Sequence, residues 1–400
     1  MRKLQALVAA AALAVTATLT GAVTGGSAQA ADTPAKPLTV MTRNLYLGAD
    51  INRPVQAALA AQAQGESPEE VVTALANATH VTRAIVDHTD FRVRSRLLAA
   101  EIARTKPDLV GMQEVALWRS GPVELDPAHL AVPDATHVDY DFLQLLLDAL
   151  AAQGVVYEPV EIAPRADVEA PSFTGSLVKG TVDFAHAQDV RLTMRDVILM
   201  RVGGNDLRLL DSGDATYSHN LQVTIAGRTL SFDRGYNWVD LRNGSQRLRF
   251  VNTHTEAFSS DLALAQVQQL TAQATAAHGP TVLVCDCNSD PLDSTVKTSI
   301  GDHVPHKAPY DWLVAAGYRD MWLTFAPADQ GWTSGLSETV DDPTAAGFDH
   351  RIDMVMVHDP GTVPYADRGQ VTGTSVSDRD PATGLWPSDH GGVVLRLRGL

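Results

Sequence analysis

The stretch Thr281-Val282-Leu283-Val284-Cys285-Asp286-Cys287-Asn288-Ser289-Asp290-Pro291 combines a core element with a polar terminus. Thr281 to Cys285 reads as a buried strand, a short β-branched apolar run preceded by Gly279-Pro280 and stopped by a polar cluster. Side chains alternate across a strand, so Asp286 and Asn288 are expected on one face, with Cys285 and Cys287 on the other. The carboxylate can bind a hard cation or accept a proton. The carboxamide can donate to an anionic oxygen. The competing reading is that both polar residues merely open the turn before Pro291.

The two cysteines are the chain's whole complement. Neighbours at i and i+2 in a strand rarely meet disulfide geometry, so the expectation is two small buried hydrophobes behind the site. Metal ligation is the alternative, although zinc sites want more Cys or His at fixed spacing.

Outward from this stretch, the 400 residues are 45% hydrophobic and 20% charged, an ordinary globular balance with enough chain for a full core. The net charge of −16 gives no general steering toward nucleic acid or anionic membrane. A bound divalent metal would reverse that field locally. Residues 1–30 resemble a secretory signal: Arg2-Lys3, then an apolar run to Val23, then Ala28-Gln29-Ala30 as a small-x-small cleavage site. An uncleaved anchor is the competing reading. No later stretch is long and apolar enough to span a bilayer, so the expected localisation is secreted and extracellular.

Leu38 to Thr42 alternates like a first strand and ends at Asn44. Residues 48–90 read as a helical insertion, with Ser67-Pro68-Glu69-Glu70 as a helix start. Phe91 to Thr105 has helical periodicity, with Leu97, Leu98, Ile102 and Ala103 on one face and arginines on the other. Leu109 to Val115 follows as a short strand. Residues 116–245 carry weaker signals: a helix near Tyr140 to Ala152, strands at Asp196 to Arg201 and Leu207 to Leu210 about a Gly203-Gly204 turn, and a hairpin about Ala226-Gly227. Beyond them come a strand ending at His254, a helix over 261–277, a short helix over 311–316, and strands at Ile352 to Val357 and Gly391 to Arg398. No clear linker interrupts residues 31–400, so a single domain is expected.

Polar residues recur where these strands end: Asn44, Glu114, Asn252 with His254, Asp286 with Asn288, Asp353, and Asp389 with His390. Each alone reads as a cap or turn residue. Together they suit one site at the edge of a sheet. Glu114 and Asp389 are hard oxygen ligands suited to Mg²⁺ or Mn²⁺. His254 and His390 are acid–base candidates, and Asp353 can hold His390 in one tautomer. Serine or cysteine nucleophile motifs, phosphate-cradling glycine loops and zinc-type histidine spacings are absent from the sequence.

These motifs resemble the endonuclease/exonuclease/phosphatase superfamily of metal-dependent phosphoesterases. That group includes pancreatic-type deoxyribonucleases, abasic-site endonucleases, inositol-polyphosphate phosphatases and bacterial neutral sphingomyelinases. TRN ends at Asn44, KPDLVGMQE at Glu114 and VNTH at His254. CDCN stands where the family usually has G-D-x-N. Tyr318-Arg319-Asp320, Trp332-Thr333, RID ending at Asp353 and SDH ending at His390 follow in the family's order.

The resemblance implies an α+β fold, a four-layer sandwich of two packed, mostly antiparallel sheets flanked by helices, with insertions at about 48–90 and 116–245. It implies Mg²⁺, with Mn²⁺ or Ca²⁺ as alternatives, on Glu114, Asn44 and Asp389. Asp286 would orient or deprotonate the attacking water, and Asn288 would hold phosphoryl oxygens. His390 with Asp353 would act as acid–base or stabilise the phosphorus, and His254 is the candidate acid for the leaving oxygen. Asn252, Asp196 and Trp386 are weaker candidates for substrate contact, Asp196 against an edge ion pair with Arg195 and Trp386 against simple packing.

Export and the N-T-H motif favour a secreted phosphodiesterase acting on a phospholipid, lipid-headgroup or glycerophosphodiester. An extracellular nuclease is the alternative, with Arg191, Arg195, Arg201 and Arg247 as groove candidates, as is a phosphomonoesterase on inositol or sugar phosphates. From a different class comes a non-catalytic binding protein that kept the scaffold, which the full set of polar residues argues against. No protein partner is expected.

Overall fold

The computed structural model describes residues 35–400 except 127–131, 205, 226 and 277. The stretch 1–30, read as a secretory signal, lies outside the described residues. In chain order the first elements are β1 (Leu38–Asn44), α1 (Asn52–Ala63), α2 (Pro68–His88), α3 (Phe91–Thr105), β2 (Leu109–Gln113), β3 (Leu117–Pro122), β4 (His137–Asp141) and α4 (Phe142–Ala152). Then come β5 (Tyr157–Ser172), β6 (Gln188–Arg201), β7 (Leu207–Thr216), β8 (Leu221–Ile225), β9 (Arg228–Phe232), β10 (Gly235–Asn243) and β11 (Gln246–His254). The chain finishes with α5 (Ser260–Gln273), β12 (Thr281–Asp286), α6 (Ala308–Ala315), β13 (Arg319–Asp320), α7 (Met321–Phe325), β14 (Asp353–His358), β15 (Tyr365–Thr372) and β16 (Gly392–Arg398).

The first sheet runs β15-β16-β1-β2-β6-β3-β4, with β5 also on β6, and the second runs β13-β14-β12-β11-β10-β7. Only β1 with β2 and β11 with β12 pair parallel; every other neighbour is antiparallel. Apolar residues of both strand faces are buried. One set, including Val40, Leu109 and Ile198 from the first sheet and Phe250, Val284 and Val355 from the second, fills the space between the sheets. The outer face of the first sheet buries Met112, Val197 and Leu199 with Leu98, Ile102 and Leu146 of α3 and α4. The outer face of the second buries Leu283 and Met356 with Val267, Leu270 and Leu313 of α5 and α6. The result is helix, sheet, sheet, helix. Each fully buried side chain of this kind stabilises the fold by roughly 1.5–3 kcal/mol.

The sheets approach closely at Gly111. A Cβ there would lie 2.3 Å from Val284 Cγ2 and 2.7 Å from Asn252 Oδ1, so the glycine of the KPDLVGMQE motif is a packing requirement. Along the same seam, Asn252 Nδ2 donates to Met112 O at 3.0 Å and Asn237 Oδ1 at 3.1 Å, while its Oδ1 accepts from Gln113 Nε2 at 2.7 Å. Asn252 therefore ties the two sheets together with its polar atoms engaged, and its expected substrate role is withdrawn.

Residues 48–90 are helical as expected, as α1 and α2. Ser67 caps α2 in a capping box with Glu70, and Pro68 stands at the start of the helix. The region 116–245 departs from its sparse signals. The turn after β6 does not make a hairpin with β7, because the two strands belong to different sheets. β8 and β9 do pair as expected, as a separate two-stranded ribbon.

Strand β6 decides where the polar residues of the first sheet go. β5 lies along its whole length on one edge. The other edge is divided, β2 pairing with Val197 to Met200 and β3 with Gln188 to Thr193. Where β2 hands over to β3, Glu114 leaves the ladder in a left-handed conformation, φ 55°.

Candidate active site

The strand ends do gather, but from both sheets rather than one. β1 and β2 run parallel and end at Asn44 and just before Glu114, while antiparallel β16 begins just after His390. In the second sheet, parallel β11 and β12 end at His254 and Asp286, and antiparallel β14 begins at Asp353, opposite Asp286. All six positions reach the same end of the sandwich.

Asp286 is the centre. Asn44 Nδ2 donates to its Oδ2 at 2.9 Å, and the Asn288 amide donates to its Oδ1 at 3.1 Å. His254 Nε2 stands 3.4 Å from Oδ2 and His390 Nε2 3.9 Å from it. His390 Nδ1 hydrogen-bonds Asp353 Oδ2 at 2.8 Å, the pairing expected from the sequence. Thr333 Oγ1 accepts the amides of Ile352 and Asp353, both at 3.2 Å, and fixes that carboxylate. Burial, reinforced by Asp353 and opposed by His390, pushes the Asp286 carboxyl up to about 7.

The two histidines differ in charge. Burial opposes a charge on His390, yet Asp353, Asp389 and Asp286 outweigh it and hold the ring protonated well above its ordinary range. His254 is driven well below that range by burial and then by Arg234. Arg234 Nη1 lies 2.8 Å from His254 Nδ1. A guanidinium has only protons to offer, so Nδ1 accepts and the proton of the neutral ring is on Nε2, facing Asp286. As a neutral ring His254 offers a hydrogen bond, not a proton, and its expected role as an acid is corrected.

At the mouth, Glu114 Oε2 accepts the Leu47 amide at 2.7 Å, and its Oε1 is 4.0 Å from His254 Nε2. Asp389 Oδ1 is 3.9 Å from His390 Nε2. Burial and then the Asp389 charge raise the Glu114 carboxyl, and burial raises Asp389. Two desolvated acids, one of them raised further by the other, favour a nearby cation, and carboxylate ligands favour a hard one. Asp353 Oδ1 is buried without a hydrogen-bond partner. Asp286, Asp353 and His390 also offer atoms within 4.8 Å of one another. His390 spends Nδ1 on Asp353, and Glu114 and Asp389 add two hard carboxylates that could hold a divalent ion beside that group. Asn44 fits it less well than expected, because its Oδ1 already accepts the Tyr46 amide at 2.7 Å.

Other expected residues fall differently. Asn288 stands beside Asp286, but in a turn with φ 41°, and its Nδ2 donates to Thr255 O at 3.0 Å. One of its two Nδ2 protons is thus spent on backbone. Asp196 is buried and pairs with Arg165 at 2.9 Å. Its expected edge partner Arg195 pairs instead with Asp141 at 2.6 Å. Trp386 is fully buried against Phe348, with its indole N–H on Asp342 O at 2.9 Å, so it is packing and not a substrate contact. The cysteines are buried behind the site as expected, but they are joined as a disulfide.

Three buried arginines escaped the sequence reading. Arg234 orients His254. Arg43 Nη1 donates to the His390 carbonyl, and Nη2 reaches Glu101 at 3.2 Å. Arg94, expected on the α3 face opposite the apolar one, spends its guanidinium on the carbonyls of Leu45, Tyr46, Thr89 and Pro387. It thereby clamps the loop after Asn44 to the segment before Asp389. Its signal would have been that position 94 lies one turn before Leu98 on the apolar face.

No family model matches this chain, and no curated protein sequence matches it. Solved structures do. An endonuclease/exonuclease/phosphatase from Bacteroides vulgatus superposes with a TM-score of 0.51 at 13% identity, covering 91% of this chain and 100% of that one. A family protein from Bacteroides thetaiotaomicron gives 0.50 at 15% identity, over 91% and 98% of the two chains. A mannosyl-6-phosphatase from Bacteroides thetaiotaomicron gives 0.50 at 16% identity, over 90% and 99%. The chain has the fold of the endonuclease/exonuclease/phosphatase family.

Proposed function

We propose that this chain hydrolyses phosphoric esters with the help of a divalent cation. The observation that carries this is the array about Asp286: a buried carboxyl raised toward neutrality, a protonated His390 backed by Asp353, and a neutral His254 backed by Arg234. Phosphoryl transfer asks mainly for positioning and charge neutralisation, and these groups supply both. Glu114 and Asp389 would hold the cation, which when bound withdraws charge from the phosphoryl oxygens.

Asp286 is poised to take the proton of an attacking water at Oδ2. Asn44 and the Asn288 amide aim that carboxylate. His390 offers Nε2–H⁺ to a phosphoryl oxygen. Attacking and leaving oxygens lie on opposite sides of phosphorus. Groups 3.4 Å and 3.9 Å from Asp286 therefore serve the attacking side, and we assign neither histidine to the leaving oxygen.

The substrate we favour is a single phosphoester group on a small molecule or headgroup rather than a polynucleotide. The arginines that would line a groove are neutralised: Arg191 by Asp167, Arg195 by Asp141 and Arg201 by Asp108. Arg247 is the second residue of β11, whereas His254 ends it. That places it about 23 Å away at roughly 3.3 Å per residue. The sequence-based preference for a lipid headgroup gains no support from the comparisons, and we keep it as one arm of the test.

The test is a release assay with Mg²⁺, Mn²⁺ or Ca²⁺ against a chelated control. Its substrates are glycerophosphodiesters, sphingomyelin vesicles, sugar and inositol phosphates, and plasmid DNA. Turnover of at least one small phosphoester, lost in chelator and in Asp286→Asn, is expected. Silence on the whole panel sinks the reading, and nicking of plasmid alone overturns the substrate preference.

A further inference from the structure

Asp286 is bracketed by the Cys285–Cys287 disulfide, whose two sulfurs are fully buried among Leu283, Met354, Met356, Leu313 and Tyr318. The Cα atoms of Cys285 and Cys287 are 5.1 Å apart. In a regular strand two residues span about 6.6 Å. The backbone is therefore drawn in around Asp286 where β12 ends. Both sulfurs lie on the outer face of the sheet, toward α5 and α6, and the Asp286 side chain projects the other way, into the site.

Global stabilisation does not explain the bond. On the chain-entropy account, the gain from a cross-link grows with the loop it closes, and a loop of three residues sits at the bottom of that scale. Hydrogen bonds hold the same segment from the other sides. The Cys287 amide donates to Ile352 O at 2.9 Å, Thr255 Oγ1 donates to Cys287 O at 2.7 Å, and the Thr255 amide donates to Asp286 O at 3.2 Å. Immediately afterwards the chain turns at Asn288 in the left-handed region, with its side chain tied to Thr255 O. Without a covalent tie, a strand terminus at a polar site is free to fray, and the carboxylate would move with it.

We propose that the Cys285–Cys287 disulfide is a positioning device for Asp286, closing a three-residue ring that holds the carboxylate between Asn44, His254 and His390. The inference rests on the reading of Asp286 as the group that handles the attacking water. In the oxidised chain the ring fixes the Cα of Asp286 and the start of the Asn288 turn. Reduction by a dithiol breaks the S–S bond, adds two electrons and two protons to give two thiols, and leaves the reagent as its own disulfide. The freed segment keeps its hydrogen bonds but loses its covalent limit. Because both sulfurs are buried, the native protein resists reduction until this end of the sandwich opens.

The experiment compares the oxidised protein with Cys285→Ala/Cys287→Ala and with wild type reduced under transient denaturation and refolded in dithiothreitol. Amide exchange is followed at Thr255, Cys287 (wild type) or residue 287, and Asn288, with β1 and β16 as internal controls. Exchange at the three amides should rise tenfold or more while the controls move less than twofold. With the best substrate of the panel, kcat should fall ten- to a hundredfold with KM within twofold, and reoxidation of the reduced wild type should restore it. Unchanged local exchange, or a kcat loss no larger than the loss of folded protein, overturns the proposal. If the double variant does not fold, the reduced wild type decides by the same two measurements. If oxidised wild type turns over no phosphoester, the function reading fails instead, and the exchange data still decide whether the disulfide fixes Asp286.

Discussion

His254 and His390 flank one carboxylate, yet one is neutral and the other protonated, and their outer nitrogens meet different partners, Arg234 for one and Asp353 for the other. Replacing Asp286 with Asn keeps the shape and removes the base. A loss of about 10²–10⁴-fold in kcat, the usual share of general acid–base catalysis, is expected with no loss of thermal stability, because a desolvated carboxyl is also removed. The base must be ionised to work, so kcat/KM should rise with pH along a limb at or below about 7, since a bound cation only withdraws the proton further. A flat profile from pH 5 to 8 would contradict this. His390→Ala should cost a similar factor, whereas Arg234→Met should cost less and act by letting the His254 ring turn. At this scale the sequence singled out Asp286, Asp353 and His390 because each lies in a short polar motif beside a strand, and the structure brings the three together. Arg234 was not legible. It precedes β10, twenty residues from the ring it orients, and only the pairing of β10 with β11 brings the two together.

Helices with strong local signals formed where the sequence placed them. Ser67 caps α2 with Glu70 in return, and Ser67→Ala should lower stability by about 1 kcal/mol, read as a shift in the urea midpoint at constant slope. Arg94 in α3 matters more. Arg94→Met would leave several buried carbonyls unpaired at about 1–3 kcal/mol each. A loss of at least about 3 kcal/mol by urea unfolding is expected, together with looser binding of metal at Asp389. β6 carries a pH-sensitive group at its start. Burial, with Glu169, Asp134 and Glu124 nearby, pushes Asp189 up to about 7. The native state thus holds a proton that the unfolded chain has lost, so this group's contribution declines as pH rises from about 4 to about 7 and is level above. In Asp189→Asn the Glu124 amide keeps its acceptor and that decline should disappear from the pH dependence of the melting temperature. Long strands such as β5 were not legible, because Pro159, Pro164 and Pro171 break the alternation that marks a strand, and two register shifts absorb the irregularity.

Across the whole molecule, a net charge of −16 and the proposed site at Glu114 and Asp389 would make a divalent cation both a ligand and a counter-charge. Mg²⁺ should raise the melting temperature, by the equivalent of about 2.7 kcal/mol at a hundred times its dissociation constant. Glu114→Gln should lose most of that rise while folding normally in chelator. Calorimetry with and without metal checks both. The sequence by itself determined the alternating strands, the capped helices and the polar residues at strand ends, because these are set by side-chain period and by local backbone chemistry. Only the tertiary structure decided that the ends belong to two sheets meeting at one edge, since strand order depends on pairings between residues far apart in the chain. It also decided which histidine carries charge, because burial, the carboxylates around His390 and the Arg234 guanidinium beside His254 set that. And it turned Cys285 and Cys287 from packing into a bond: where β12 ends, the backbone draws in around Asp286, and that contraction is not written in the spacing of two cysteines.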